Sequence, residues 1–143
     1  MEKILKSPSA KKGHVKFGRL IWFRDNVRID CADNAELILG DRVFLNNGAY
    51  ISARKRISIG SNTIMGPNVM VFDHDHDYRN HLSGFVEKEI VIGDNVWIGA
   101  NAVILKGARI GDGAVIGAGC VIKGEIPPRS VVTRGNDQII RPY

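Results

Sequence analysis

The sequence predicts an all-β chain wound as a parallel β-helix. Three observations predict it: a six-residue repeat, the chemistry at fixed places within that repeat, and a composition suited to tight coils. From Ile92 to Pro127 the chain reads as consecutive hexads opened by Ile92, Ile98, Ile104, Ile110, Ile116 and Ile122. A helix wants apolar residues at three- and four-residue steps and a half-buried strand wants alternation, and neither period fits. A period of six fits a coil in which each hexad forms one flat side and its opening aliphatic points inward. A small or β-branched residue usually stands four places after the opener, as Val96, Ala102 and Ala114 do. Glycine or asparagine beside the corners permits the tight backbone bend. With 143 residues, 16 glycines, 44% hydrophobic residues and few aromatics, the chain suits one domain, 1–143.

The elements follow in order. Residues 1–20 read as a basic N-terminal arm, lysine-rich, with no apolar stretch resembling a secretion signal and no run long enough to span a membrane. A cytoplasmic protein is expected. The hexad register then runs from Leu39 through Leu45 to Ile51, and again from Ile59 through Met65 to Val71. Two departures interrupt it. A small insertion at Arg54–Ile57 delays the next opener by two residues, and residues 73–89 do not repeat at all. Insertions in a repeat array emerge as surface loops, and loops on a rigid scaffold tend to carry function, so 73–89 is the expected active-site loop.

Charge and cysteine usage narrow the classes further. The formal charge of +5 comes from basic residues gathered at the two ends, not from one helix face or an aromatic-interleaved strip, so nucleic-acid binding is not expected. The C-terminal set of Lys123, Arg129, Arg134 and Arg141 either is solvated or meets the phosphates of a ligand. Two cysteines make no disulfide framework, and Cys120 falls at a small-residue position of its hexad, which suits a core residue better than a nucleophile.

The segment IGDNVWIGANAVILKGARIGDGAVIGAGCVIKGEIPP, residues 92–128, resembles the hexapeptide-repeat acyltransferases, which are left-handed β-helices and include maltose, galactoside and serine acetyltransferases. ISARKRISIGSNTIMGPNVMVFDHDHDY, residues 51–78, is most similar to members that O-acetylate sugars of bacterial surface and capsular polysaccharides. The resemblance implies an acetyl-CoA-dependent O-acetyltransferase that needs no metal. It implies a homotrimer with C3 symmetry whose active sites lie between subunits, and a sugar or glycan as acceptor.

Such a reaction needs a base for the acceptor hydroxyl, and histidine, which titrates near neutrality, suits the role. Of the four histidines, His74, His76 and His81 fall in or beside the loop. Family members place the catalytic histidine ten residues after the glycine of a Gly-Pro-Asn-Val segment, and counting from Gly66 reaches His76. His74, two residues earlier, lies on the same side of a strand and lines the acceptor pocket in this reading, with Asp73 and Tyr78 beside it. The partner that fixes the tautomer of His76 stays open among Asp73, Asp75, Asp77, Glu87, Glu89 and a backbone carbonyl.

Asn46 matches the asparagine that the sugar acetyltransferases set opposite the histidine, where an uncharged amide binds the acceptor hydroxyl or the oxyanion. Galactoside and maltose enzymes carry an aspartate a turn later, but here the position is Ala53, followed by Arg54-Lys55-Arg56. That basic insertion would suit an anionic or phosphate-linked sugar, or is a solvated corner. The family's coenzyme A positions fall on Trp97, Ala100 and Ala118, with Lys123 and Arg141 as the cations able to reach the cofactor phosphates. Two other classes compete. One is a non-catalytic β-helix scaffold. The other is a metal enzyme like the γ-class carbonic anhydrases, suggested by Asp-His-Asp-His-Asp, although no histidine lies beyond His81 to complete a three-histidine site.

Overall fold

The computed structural model describes residues 13–81, 83–134 and 138–143. Its chain visits three parallel sheets in strict rotation, making a three-sided solenoid. The first sheet holds His14–Phe17, Glu36–Leu39, Arg56–Ile59, Ile90–Ile92, Arg109–Ile110 and Glu125–Ile126. The second holds Trp22–Phe23, Phe44–Leu45, Ile64–Met65, Trp97–Ile98, Val115–Ile116 and Ser130–Arg134, and is closed by the antiparallel strand Gln138–Pro142. The third holds Arg28–Cys31, Tyr50–Ala53, Met70–Phe72, Val103–Ile104 and Val121–Ile122.

The repeat dictates this register. Three hexads complete a coil, so each opener pairs with the opener three hexads later: Ile92 with Ile110, Ile98 with Ile116 and Ile104 with Ile122. Openers thereby stack into ladders inside the prism, each 2% exposed or less. The residues four places on, Val96, Ala102, Ala108 and Ala114, are equally buried and fill the corners. Solenoid structure begins earlier than the sequence suggests. His14–Phe17, expected within the basic arm, pairs residue by residue with Glu36–Leu39, because Gly13 to Phe17 meets the open edge of the first sheet. Residues 1–12 of that arm lie outside the described residues.

Corners demand a left-handed backbone at the fourth place of the hexad. Asn62, Asn68, Asn95 and Asn101 hold φ between 55° and 60° there, while Gly107, Gly113 and Gly119 take the same place in later coils. Most side chains are disfavoured in that conformation, whereas asparagine and glycine adopt it readily. The second hexad place is tight for another reason: a Cβ on Gly66 would lie 2.7 Å from the Ala100 nitrogen, and one on Gly99 2.6 Å from that of Ala118.

The three outer faces differ in chemistry. The first sheet carries an ion-pair ladder in which Lys16 meets Glu36, Glu36 meets Arg56, Arg56 meets Glu89 and Glu89 meets Arg109. The second presents Trp22, Phe44, Ile64, Trp97, Val115 and Val131 in one cross-strand row, with Trp22 and Trp97 half exposed. The third presents Tyr50, Met70, Val103 and Val121 in a row. No helix among the described residues is long and apolar enough to cross a membrane.

Replacing exposed Asn95 with alanine, which keeps L chirality and loses the tolerance for positive φ, is expected to cost about 1–2 kcal/mol. Asn95→Gly is expected to stay within about 0.5 kcal/mol of the parent. Chemical denaturation of the three proteins checks the pair.

Candidate active site

Residues 73–89 leave the third sheet after Phe72 and rejoin the first at Ile90. Between these points His74–His76 and Phe85–Glu87 form an antiparallel hairpin, and a 3-10 turn over Tyr78–Asn80 closes its outer end, capped by the Asp77 carboxylate accepting from Arg79 N–H. The register sets His74 opposite Glu87 and His76 opposite Phe85. Residues directly opposite in an antiparallel pair share a face, so both histidines, Phe85 and Glu87 stand together while Asp75 and Val86 face the other way. Asp75 is held there by an ion pair with Lys106.

The hairpin is anchored by Asp73, whose carboxylate is fully buried. Its oxygens accept from the backbone N–H groups of Arg54 at 2.9 Å, Lys55 at 2.8 Å and Arg56 at 2.8 Å. Asp73 Oδ1 also lies 3.0 Å from Nδ1 of half-buried His74. A carboxylate already accepting three N–H groups is satisfied by one more donor, so the His74 ring donates to it through Nδ1. The expected place of Asp73 in the acceptor pocket is thereby corrected, since its oxygens face inward and fix the two-residue insertion that delays the hexad register.

His76 is exposed, and its ring lies 4.7 Å from that of Phe85 at 33°. The Arg54 guanidinium lies 3.6 Å from the same Phe85 ring, and His74 meets it edge-on at 5.4 Å. Arg54 also pairs with Glu87 at 3.7 Å. The carboxylates weighed as partners for His76 are occupied elsewhere: Asp73 at His74, Asp75 at Lys106, Asp77 at the turn cap, Glu87 at Arg54, Glu89 at Arg56 and Arg109. Packing on Phe85 is what orients the ring within one chain. Beside the hairpin, Ala32, Asp33, Asn34, Arg54, Lys55, Phe85 and Glu87 line an open groove of about 580 Å³.

Other expected site residues fall elsewhere. Tyr78 is 73% exposed at the start of the 3-10 turn, with Arg79 over its ring. Asn46 follows the second-sheet strand Phe44–Leu45 and precedes the third-sheet strand Tyr50–Ala53, so it stands on the edge between those sheets. The hairpin springs from the edge between the third and first sheets, and one chain therefore does not bring Asn46 to His76. In the Asn46 corner the left-handed residue is Gly48, at φ 70°, so Asn46 is not there for backbone reasons. Its side-chain oxygen accepts from Asn47 N–H at 2.8 Å.

Ala100 and Ala118 lie on the Asn46 edge, one coil apart, joined by Gly119 N–H donating to the Ala100 carbonyl at 2.9 Å. Trp97, 51% exposed on the second sheet, stands close before Ala100 in the chain. Arg141 is exposed on the strand that closes the same sheet. Lys123 follows the third-sheet strand Val121–Ile122 and belongs to the opposite edge. Phe85 is the contact residue that sequence reasoning missed, because it lies in the stretch without a repeat.

A family model described as bacterial transferase hexapeptide (six repeats) matches residues 89–124. The chain is 35% identical to a maltose O-acetyltransferase from Clostridium difficile 630, covering 88% of this chain and 69% of that one with a TM-score of 0.75. It is 29% identical to the hexapeptide-repeat acetyltransferase VCA0836 from Vibrio cholerae, solved with acetyl coenzyme A, over 86% of this chain and 67% of that one, again with a TM-score of 0.75. The putative lipopolysaccharide biosynthesis O-acetyl transferase WbbJ of Escherichia coli K12 is 28% identical over 92% of this chain and 73% of its own length. The chain spans little more than half the length of several other curated relatives. It belongs to the hexapeptide-repeat acetyltransferases, and its solenoid is their left-handed β-helix.

Replacing Asp73 with alanine leaves three N–H groups and the His74 ring without their acceptor. A loss of roughly 1–3 kcal/mol in stability is expected. Hydrogen exchange at the amides of Arg54, Lys55 and Arg56 should accelerate, which separates loss of this anchor from a general loosening of the solenoid.

Proposed function

We propose that this protein transfers an acetyl group from acetyl-CoA to a hydroxyl of a sugar or surface-polysaccharide precursor, with His76 as general base. The observation that carries the reading is the exposed imidazole of His76, set beside a groove by a hairpin whose foot is pinned by buried Asp73. His76 takes the acceptor proton as that oxygen attacks the thioester carbonyl carbon. The amide of Asn46 donates to the oxyanion that forms. Collapse of the tetrahedral adduct breaks the carbon–sulfur bond, and the proton on His76 passes to the departing thiolate, so that acetyl ester and free coenzyme A leave and the imidazole is neutral again.

The pantetheine arm lies against the small residues of the second-to-third-sheet edge, Ala100 and Ala118, with Trp97 beside them and Arg141 near the phosphates in this reading. Lys123 is on the wrong edge for that groove within one chain and would serve only a neighbouring copy. The same geometry supports a homotrimer. Asn46 and His76 occupy different edges and meet only across a subunit contact. A threefold contact also joins two different patches of each copy, and the solenoid has two apolar faces and one charged. A cytoplasmic location accords with acetyl-CoA as donor.

Thiol release from acetyl-CoA against a panel of nucleotide sugars and oligosaccharides tests the activity. His76→Ala should lower kcat by roughly 10²–10⁴ with the fold intact. Asn46→Ala should cost about 10–10³. His74→Ala should act mainly on the acceptor KM. Full activity in both histidine variants would end the proposed mechanism, and near-full activity in His76→Ala alone would move the base to His74. An acetyl-CoA concentration far above a plausible dissociation constant should raise the melting temperature, which a non-catalytic scaffold would not show.

Assembly gives a separate expectation. Trp97→Glu on the second face or Val121→Glu on the third should yield smaller species by light scattering, whereas Arg109→Glu on the charged face should leave the size unchanged.

A further inference from the structure

The groove beside the hairpin has a composition that the acetyl-transfer chemistry alone does not require. Its two cations, Arg54 and Lys55, stand on the insertion whose backbone N–H groups are locked by Asp73. Arg54 is further held by stacking on Phe85 and by Glu87, and its Nε is buried without a hydrogen-bond partner among the described residues. A guanidinium fixed by packing loses little freedom when it binds, and its planar fork matches a carboxylate or phosphate in two hydrogen bonds. The same groove carries Asp33, Asn34 and Glu87, groups that accept from or bridge sugar hydroxyls. Phe85 connects the two halves, lining the groove and packing its ring against that of His76.

We propose that Arg54 and Lys55 form an anion subsite that selects an acidic sugar, one bearing a carboxylate or a phosphate, as the acceptor. The anion meets the Arg54 fork and the Lys55 ammonium, the ring hydroxyls meet Asp33, Asn34 and Glu87, and the hydroxyl to be acetylated points past Phe85 to His76. Glu87 tempers the site. It neutralises Arg54 in the empty groove and, once the ligand anion takes the guanidinium, turns to a hydroxyl. A neutral sugar leaves the Arg54–Glu87 pair intact and gains only the hydroxyl contacts. The inference rests on the acetyltransferase reading for the direction of the hydroxyl, but the anion subsite itself is testable by binding.

Titration of the intact protein with glucose, glucuronate, glucose 1-phosphate and glucosamine, followed by calorimetry or ligand-observed NMR, supplies the test. Glucuronate or glucose 1-phosphate is expected to bind about tenfold tighter than glucose. The preference should fall to about twofold or less in Arg54→Gln, survive in part in Arg54→Lys, and weaken with added salt. Melting curves identify a variant that has lost its fold, and Lys55→Gln, on an exposed side chain, then carries the comparison. Equal binding of all four sugars, tightest binding of glucosamine, or an acidic preference untouched by both variants would each overturn the proposal. Acetyl transfer is scored separately with the same sugars: preferential binding without thiol release leaves the subsite standing and contradicts the transferase reading, and thiol release without acidic preference does the reverse.

Discussion

Every coil of this molecule must close in register with the one beneath it, and that single constraint organises the rest. Inward aliphatics pair with inward aliphatics only if three hexads make one circuit, as Ile92 over Ile110 and Ile98 over Ile116 do. Burial of the ladder supplies the hydrophobic stabilisation, and the tight second and fourth hexad places allow coils to approach closely enough for the parallel sheets to form. The two histidines and the groove beside them stand where the repeat is broken and the break is held.

Asp73 holds both breaks at once. The small insertion at Arg54–Ile57, which delays the register by two residues, and the excursion at 73–89 are far apart in the hexad count yet meet at one buried carboxylate, which accepts from three amides of the first and orients a histidine of the second. Burying a charge is tolerable when hydrogen bonds replace its water, and four donors do so here. The result is a rigid base for a hairpin that carries His74, His76, Phe85 and Glu87 on one face. The charged and apolar outer faces divide other tasks: the ion-pair ladder keeps one side solvated, and the aromatic and aliphatic rows leave two sides suited to contact with copies.

Legibility in the sequence tracked the repeat. Hexad openers, corner asparagines and both departures from register could be read directly, since a period of six leaves few alternatives for which residues face inward. Residues outside the period were read less well. The strand His14–Phe17 carries no hexad signature and looked like part of a basic arm. Asp73 sits beside two histidines and read as acceptor-facing, but the carboxylate turned inward because the amides of an insertion nineteen residues earlier needed an acceptor. Phe85 gave no signal, as nothing in a non-repeating stretch announces which aromatic will pack on a histidine. Separation of Asn46 from His76 was equally hidden, because edges of a prism are assigned only when the number of residues per coil is known through both insertions.

That separation makes the central claim open to direct attack, since a catalytic base and an oxyanion donor on different edges work together only if neighbouring copies complete each site. The deciding measurement is acetyl transfer by mixed assemblies of His76→Ala and Asn46→Ala subunits whose exchange has been verified. Each variant alone should show only its own residual turnover, and mixing should raise turnover above that of either parent by regenerating sites with one intact contribution from each copy. Assemblies that stay as inactive as the parent variants at every mixing ratio would contradict the account.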